Sequence, residues 1–486
     1  WLPLTGFLLN PKWGATQGYE TDEDPNNFRN YYCLAGPKYN AALKKRLKNL
    51  VEVQGAEYFK HDFNFFECYN PNTPYFQDKR HSFEANVNAQ ADLLDYLHSL
   101  NKKTYLNITS NMWLSPWWLK HADTVWVGSG DYGYTYAGAS IEPRDWAILY
   151  TDAWLYRRLV EEGARYPMNA IMTHGIIDGT LNRLGGTEEG FKTWLDNVAI
   201  YMGRGLYMRE LYITPELLDQ RKWKFLADAA RWAKSNDDAF ARTDWVGGDP
   251  RKGEAYGFHH HGGGKDLIVL RNPNMDPATI KLPKIRAKRL QQIYPTLMFP
   301  KDISAMTLKG LDVVILRGVS DKDMSVPAPE GVEYEVAETS PGKTVYRVFS
   351  DKKPALTGGA KNAAATFTAP AGRRLALETA PGAPLCAAEG KSFVCSAKIS
   401  VPDGTKAKFY AALYAKDIFM PSRIKINGKT VEGLKEGIGW RLFRIEVEAG
   451  EREMKVVVPL SAVQEIPFCE TKFRFTMYLE SDAGDP

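Results

Sequence analysis

Three polar side chains stand at alternate positions near residue 60. Residues 58–64 (YFKHDFN) have the pattern of the end of a β-strand, in which every second side chain points to the same face. We therefore expect Lys60, Asp62 and Asn64 to share one face. A carboxylate beside an ammonium group stays ionised, as a nucleophile or an electrostatic stabiliser requires. A buried Lys60–Asp62 ion pair without catalytic function is the alternative interpretation.

A second carboxylate, Asp131, follows another predicted strand in the glycine-flanked segment 127–133 (VGSGDYG). Glycines allow the backbone to approach a ligand closely. Two carboxyl groups with opposite protonation are the machinery of glycoside hydrolysis. Lys60 would keep Asp62 anionic, and dry aromatic surroundings such as Tyr132 would keep Asp131 protonated. The alternative is that Asp131 is an ordinary turn residue.

Both carboxylates require parallel strands whose carboxyl ends meet at one edge of a sheet. The first 236 residues alternate short apolar runs with amphipathic helices, which is typical of such an α/β domain. We predict strands over residues 4–10, 56–63, 104–109, 124–127, 169–173 and 206–213, and helices over 38–53, 83–100, 145–163, 187–203 and 215–235. Six strands are fewer than the eight of a closed (β/α)8 barrel. Either the sheet is open, or two β/α units precede Trp1.

The pattern changes after residue 236 to short alternating runs separated by Gly, Pro and Asn. We predict a catalytic barrel over 1–236, an antiparallel β-sandwich over 237–352, a linker over 353–384, and a second β-sandwich over 385–486 that could bind carbohydrate. The predicted fold class is α/β: a (β/α)8 (TIM) barrel whose N-terminal strands are missing from this chain, followed by all-β sandwich domains.

The composition is that of a globular protein. Of 486 residues, 44% are hydrophobic and 25% charged, and the net charge of +4 is too small to indicate a nucleic-acid partner. No apolar run is long enough for a membrane span. Aromatic residues make up 12%, which suits sugar binding as well as a large core.

The five cysteines leave their pairing open. Cys33 could meet Cys68, and Cys386 could meet Cys395, which would leave Cys469 over; five reduced cysteines are the alternative. The run of histidines at 259–261 is followed by three glycines and has no partner residues at metal-ligand spacing, so we interpret it as a turn. We predict no metal and no cofactor.

Three segments resemble the α-galactosidase-like clan, which comprises glycoside hydrolase families 27 and 36, and family 36 in particular. Residues 10–14 (NPKWG) resemble its strand-three ending S-P-W-G, residues 58–64 its Y-x-K-x-D-x-N element, and residues 166–174 its Y-P…M-G-A-H stretch. The second of these is the most specific, and the resemblance spans about Leu4 to Ser235. It implies that Asp62 is the retaining nucleophile, Asp131 the acid/base, and Lys60 a ligand of sugar hydroxyls.

The resemblance also implies that Leu4 begins strand three. Strands one and two normally supply a pair of sugar-binding acids, so we expect a separate N-terminal segment or chain to complete the barrel. The chain departs from the clan at three places: His61 replaces an aromatic residue, 129–133 (SGDYG) replaces S-D-N-x-D, and 107–118 replaces a segment rich in Cys and Gly.

The predicted function is therefore a retaining α-glycoside hydrolase that acts on terminal α-linked galactose or N-acetylgalactosamine in an oligosaccharide or glycoconjugate. We predict that it is secreted or periplasmic. The expected substrate-binding residues are Lys60, Asn64, Trp13, Asn107, Trp113, Trp118, Tyr132 and His174. A carbohydrate-binding pseudoenzyme is the main alternative, favoured by the unusual residues around Asp131, and an exo-acting transglycosylase is a third.

Overall fold

The computed structural model describes the chain in two compact units. The described residues are 2–5, 10–23, 30–62, 64, 66–68, 76–109, 113–128, 143–180, 184, 191–274, 277–320, 329–340, 343–349, 374–375, 377–378, 387–389, 392–415, 421–437, 440–459 and 473–481. The first unit comprises the described residues within 1–128, 157–173 and 206–208, and the second comprises those within 129–156, 174–205 and 209–486. Asp131 and Tyr132 lie outside the described residues.

The first unit contains a five-stranded parallel sheet with the order β1-β4-β5-β6-β7. Within this sheet, strands that are next to each other also follow one another along the chain, as predicted for successive β/α units. The strands of this unit are β1 (Leu2–Pro3), β2 (Thr21–Glu23), β3 (Asn30–Tyr32), β4 (Tyr58–Asp62), β5 (Tyr105–Ile108), β6 (Thr124–Trp126) and β7 (Ile171–Met172). β2 and β3 form an antiparallel pair.

Among the described residues of this unit, three α-helices accompany the sheet. They are α1 (Pro11–Thr16), α2 (Pro37–Glu52) and α3 (Lys79–Leu100), with short helical turns at Pro116–Lys120, Arg157–Glu161 and Met168–Ala170. α3 begins before the predicted residue 83 because Asp78 caps it, and not Ser82, the residue next to the predicted start. The Asp78 carboxylate accepts hydrogen bonds from the amides of Arg80 and His81 at 2.8 and 3.0 Å. Ser82 instead accepts a hydrogen bond from the amide of Cys68 at 2.8 Å.

The first strand lies earlier than the predicted 4–10. β1 ends at Pro3, because the amide of Leu4 donates to the side chain of Asn64 at 3.2 Å instead of to a neighbouring strand. Asn10 is not in a strand either, since its side chain caps α1. Residues 6–9 lie outside the described residues.

The second unit begins with helices and a parallel pair of strands. Its helices are α4 (Pro143–Tyr156), α5 (Phe191–Gly203) and α6 (Gln220–Ser235), and the pair is β8 (Ile176–Asp178) with β9 (Leu211–Ile213). Short turns of helix occur at Pro215–Leu217, Ala239–Ala241, Pro250–Lys252 and Gly262–Gly264. In the described part of the chain the parallel strands thus form an open sheet of five and a pair, and this hydrogen-bonded topology contains no closed barrel.

Antiparallel strands make up most of the remaining second unit. They are β10 (Thr243–Gly247), β11 (Tyr256–His260), β12 (Leu267–Arg271), β13 (Ala278–Lys281), β14 (Arg289–Tyr294), β15 (Ala305–Leu308), β16 (Val313–Val319), β17 (Glu333–Ser340) and β18 (Lys343–Phe349). The sheet β10-β11-β12-β16-β14 packs against the pair β13-β15 through a shared apolar core that includes Ile268, Ile280, Met306 and Val314. β17 pairs with β18.

The described residues from Arg374 to Ser481 form a second sandwich. Its strands are β19 (Arg374–Leu375), β20 (Leu377–Glu378), β21 (Ala387–Glu389), β22 (Ser392–Val401), β23 (Ala407–Ala415), β24 (Arg423–Ile426), β25 (Lys429–Glu432), β26 (Lys435–Gly437), β27 (Trp440–Val447), β28 (Gly450–Pro459) and β29 (Phe473–Ser481). The sheets β19-β29-β23-β27-β26 and β20-β22-β28-β24-β25 share one core, to which Phe409 and Leu479 contribute from the first sheet and Ile426 and Val456 from the second. β19 and β20 come from the segment predicted as a linker.

Buried ion pairs connect the helices of the second unit to its first antiparallel sheet. Asp152 of α4 accepts hydrogen bonds from Arg204 Nε at 2.7 Å and from the Tyr256 hydroxyl of β11 at 2.5 Å. Arg271 of β12 donates to Asp145 of α4 at 2.6 Å. All five side chains are at most 2% exposed. A buried charge is costly without a partner, so these contacts hold the helices and the sheet together.

Candidate active site

β4 presents two chemically different faces. Phe59 and His61 are buried, whereas Lys60 and Asp62 are partly exposed, so Lys60 and Asp62 share a face as the alternation predicts. Asp62 is the last residue of β4, at the carboxyl end of a parallel strand. Ligand sites of α/β proteins lie at this end of the strands. The position therefore suits a residue that contacts a ligand.

Asn107 extends this face onto the next strand. It is the register partner of Lys60, is fully buried, and donates from Nδ2 to the hydroxyl of Thr124 on β6 at 2.8 Å. Its Oδ1 atom has no hydrogen-bond partner among the described residues. Lys60, Asp62, Asn107 and Thr124 are thus polar residues on one face of the sheet across three neighbouring strands, the first two partly exposed and the last two buried. Thr124 was not predicted, although its place at the start of an apolar strand beside Asn107 was a usable signal.

Asn64 does not lie on the face of β4 that carries Lys60 and Asp62. β4 ends at Asp62, so the strand alternation no longer applies two residues later. The Asn64 amide nitrogen donates to Gln90 Oε1 on α3 at 3.0 Å, and Gln90 Nε2 lies 3.1 Å from His61 Nδ1. Asn64 is fully buried and shares a partner with His61. The expectation that Asn64 shares the face of Lys60 and Asp62 is therefore wrong.

The tryptophans predicted to bind substrate differ in exposure. Trp13, in the first turn of α1, is 52% exposed, and Trp113, after β5, is 45% exposed and stacks on Phe83. Trp118 is fully buried between Trp113 and Trp117, with ring centroids 5.6 and 5.4 Å away. It has no free ring face for a sugar and instead supports its two neighbours. Trp117, outside the predicted set, is 46% exposed.

His174 belongs to the second unit. Its Nδ1 donates to the Tyr212 hydroxyl at 3.2 Å, and Tyr212 donates to Glu210 at 2.9 Å. The same histidine lines a pocket with Thr151, Asn197 and Arg204. Tyr212 and Glu210 fix the orientation of its ring, and the pocket also has apolar lining residues, among them Ile177 and Leu184.

A disulfide joins Cys33, before α2, to Cys68, after β4, with Cα atoms 5.6 Å apart. Asn86 of α3 supports it: the Asn86 amide donates to Cys68 Sγ at 3.0 Å and accepts from the amide of Ala35 at 3.1 Å. Cys395 is also disulfide-bonded. Of the pairings left open by the sequence, Cys33–Cys68 is confirmed.

The histidine run at 259–261 is not a turn, since His259 and His260 belong to β11. His259 lies 3.1 Å from Asp266, and His261 lies 2.9 Å from Asp244. No group of three or more histidine, cysteine, aspartate or glutamate side chains in the described ranges could hold a metal ion. Within the same ranges, none of the helices combines the length and apolar character that crossing a membrane requires.

Two buried histidines predict how stability depends on pH. Burial lowers the pKa of His61 to about 3 and that of His260 to about 4. An unfolded histidine has a pKa of about 6.5. The neutral side chains therefore contribute stability above about pH 6.5 that is lost as the pH falls toward the folded values. We expect the free energy of unfolding to fall by about 3 kcal/mol for each of the two histidines between about pH 6.5 and 4. Urea unfolding at a series of pH values measures this loss.

His260→Gln tests this assignment, because glutamine can keep the hydrogen bond that His260 Nε2 donates to the Gly203 carbonyl at 2.7 Å. The variant should show a shallower loss of stability on acidification. His81→Gln is the control, since His81 is exposed, and it should follow the wild-type curve. An unchanged slope in His260→Gln contradicts the prediction.

No protein-family model matches the chain, and no curated protein matches it. Several solved structures are similar to it. A family 36 α-galactosidase from Geobacillus stearothermophilus in complex with stachyose is 10% identical with a TM-score of 0.48, over 66% of this chain and 44% of that one. An α-amylase from Geobacillus thermoleovorans complexed with acarbose is 11% identical with a TM-score of 0.40, over 65% and 75% of the two chains. A type I pullulanase from Bacillus subtilis complexed with maltose is 9% identical with a TM-score of 0.40, over 66% and 53%.

The chain thus spans less than half the length of the α-galactosidase. The chemistry of the candidate site therefore rests on the residues themselves, and chiefly on Lys60, Asp62 and Asn107.

Proposed function

We propose that the chain is a retaining α-glycoside hydrolase that acts on terminal α-linked galactose or N-acetylgalactosamine. The observation that carries the proposal is the placement of Asp62: a partly exposed carboxylate at the carboxyl end of a parallel strand, on the same face as Lys60 and next to Asn107. The K-x-D part of the resemblance of residues 58–64 supports the same role, whereas Asn64 lies off this face. We also propose that the parallel strands are part of a (β/α)8 barrel of the clan of families 27 and 36.

The reaction proceeds in two displacements. Asp62 attacks the anomeric carbon while the glycosidic C–O bond breaks, and Asp131 gives its proton to the leaving oxygen. Asp131 then takes a proton from water, whose oxygen attacks the same carbon and releases Asp62 as a carboxylate. Two inversions leave the product with the α configuration of the substrate.

Lys60 binds the sugar in this proposal, and the buried Asn107 supports the same face of the sheet through its hydrogen bond to Thr124. The Lys60 ammonium donates to sugar hydroxyls. Trp13 and Trp113 offer exposed rings for the oligosaccharide or glycoconjugate beyond the terminal sugar. The Cys33–Cys68 disulfide supports an oxidising, secreted or periplasmic location.

The test is a screen of nitrophenyl α-glycosides with the purified chain, followed by NMR of the first product anomer. We expect release of nitrophenol from the α-galactoside or the α-N-acetylgalactosaminide, with the α anomer formed first. Asp62→Asn should be inactive, and Asp92→Asn, at an exposed position of α3, should match the wild type. Sugar binding without turnover would instead indicate the carbohydrate-binding pseudoenzyme, and a β anomer formed first would exclude retention.

Lys60→Ala should impair turnover more than stability. The ammonium is partly exposed and lies on the site face, so its loss removes a charge-assisted contact to substrate while leaving the core intact. We expect kcat/KM to fall about 100-fold and the Tm to change by less than about 3 °C.

Lys103→Ala, on an exposed turn, is the matched control and should retain wild-type kinetics. A Lys60→Ala protein that unfolds readily but keeps its kcat/KM when folded would make Lys60 structural.

A further inference from the structure

Gln90 contacts two of the residues that flank Asp62. It lies in α3 and is fully buried. Its Oε1 accepts a hydrogen bond from Asn64 Nδ2 at 3.0 Å, and its Nε2 donates to His61 Nδ1 at 3.1 Å. One side chain therefore holds the residue before Asp62 and the residue two positions after it.

The direction of these hydrogen bonds follows from one backbone amide. The N–H of Leu4 can only donate, and it contacts Asn64 Oδ1 at 3.2 Å. Asn64 must then present its Nδ2 to Gln90 Oε1, and Gln90 must present its Nε2 to His61. Because Gln90 Nε2 is a donor, His61 Nδ1 is the acceptor. His61 is therefore the neutral tautomer with its proton on Nε2.

The backbone of His61 is anchored as well. Its carbonyl oxygen accepts hydrogen bonds from the Thr109 amide at 2.9 Å and from the Thr109 hydroxyl at 3.1 Å. The peptide that joins His61 to Asp62 is thus held from β5 at its carbonyl and from α3 at the preceding side chain. With the Asn64 side chain held by Gln90 as well, described residues before and after Asp62 are both hydrogen-bonded to neighbouring elements.

We propose that Gln90 is a positioning residue that fixes the Asp62 carboxylate through His61 and Asn64. The proposal rests on the proposed function, in which Asp62 is the nucleophile. A nucleophile must stand about 3 to 3.5 Å from the carbon it attacks, and a misplacement of about 1 Å can cost about 100-fold in rate. Gln90 acts on that distance without touching the substrate.

Gln90→Met tests the proposal, since methionine retains most of the volume and removes both hydrogen bonds. We expect kcat to fall about 10- to 100-fold with KM within about 2-fold of the wild type. Gln90→Glu keeps an acceptor for Asn64 and requires His61 Nδ1 to donate. Its kcat should therefore lie between that of the wild type and that of Gln90→Met. Nitrogen-15 NMR of the His61 ring should show a proton on Nε2 in the wild type and on Nδ1 in Gln90→Glu.

Gln292→Met is the matched control. Gln292 is also a buried glutamine, with a hydrogen bond to the Thr296 carbonyl at 2.9 Å, and it lies in the second unit. It should lose a similar amount of stability and keep the wild-type kcat. An unchanged kcat in Gln90→Met, or an equal loss in Gln292→Met, would overturn the positioning role.

Carbon-13 titration of the Asp62 carboxylate, assigned with Asp62→Asn, separates this proposal from the proposed function. If the wild type hydrolyses no α-glycoside, the proposed function fails. The titration then decides by itself whether Gln90 positions the Asp62 carboxylate. A shifted Asp62 titration in Gln90→Met supports positioning by Gln90, and a curve identical to the wild type overturns it.

Discussion

Asp62→Gly is expected to lose at least about 1000-fold in kcat and to regain turnover when azide is added. Glycine removes the nucleophile and leaves a small space beside Lys60, which a small anion can enter. Azide then attacks the anomeric carbon from the side that the carboxylate occupied. The product should be a β-glycosyl azide, identified by NMR, because only one inversion takes place.

The substrate for this experiment is a nitrophenyl α-glycoside, whose good leaving group keeps the first step fast. Asp92→Asn and the wild type, given the same azide, should yield only the free sugar. Residual activity of Asp62→Gly above about 1% of the wild type, without azide, would show that Asp62 is not the nucleophile.

Asp152→Ala is expected to destabilise the second unit by about 3 to 5 kcal/mol. The substitution leaves the Arg204 guanidinium, 2% exposed, without its carboxylate, and the Tyr256 hydroxyl without its acceptor. The decrease in the free energy of unfolding can be measured by urea unfolding, with tryptophan fluorescence and circular dichroism as the two signals.

Two further variants test whether the loss of stability in Asp152→Ala comes from an unpaired buried charge. Asp152→Leu combined with Arg204→Met removes both charges and should cost clearly less than Asp152→Ala alone. Asp228→Ala also breaks ion pairs, to Lys224 and Arg231, but that carboxylate is 46% exposed. It should cost less than about 1 kcal/mol. Equal losses in Asp152→Ala and Asp228→Ala would refute the argument.

Local periodicity predicted the elements that position the candidate site. The apolar spacing in α2 and α3 and the short apolar runs at β4, β5 and β6 place these elements within a few residues of their observed bounds. The same reasoning placed Lys60 and Asp62 on one face, because both lie inside a regular strand. Fold class is therefore readable to the level of parallel strands alternating with helices, followed by β-sandwiches.

The differences arise where a tertiary contact decides the local structure. Asn64 leaves the strand pattern because Gln90, 26 positions later, binds its amide. Trp118 is buried because Trp113 and Trp117 pack on either side of it. The histidines at 259 and 260 look like a turn beside three glycines, yet β10 and β12 pair with them on both sides. Gln90 lies too far along the chain to be inferred from local sequence, and for Trp118 and β11 the sequence shows the neighbours but not the packing or pairing they adopt.

The Cys33–Cys68 disulfide turns residues 33–68 into a covalent ring that contains α2, β4 and Asp62. Residues 53–55, which follow α2 inside this ring, are exposed and offer a protease an accessible bond. A chain cut there keeps its two fragments tied together across the bridge. Proteolysis of this segment consequently goes undetected by mass on a non-reducing gel, and the fragments separate only after a thiol is added.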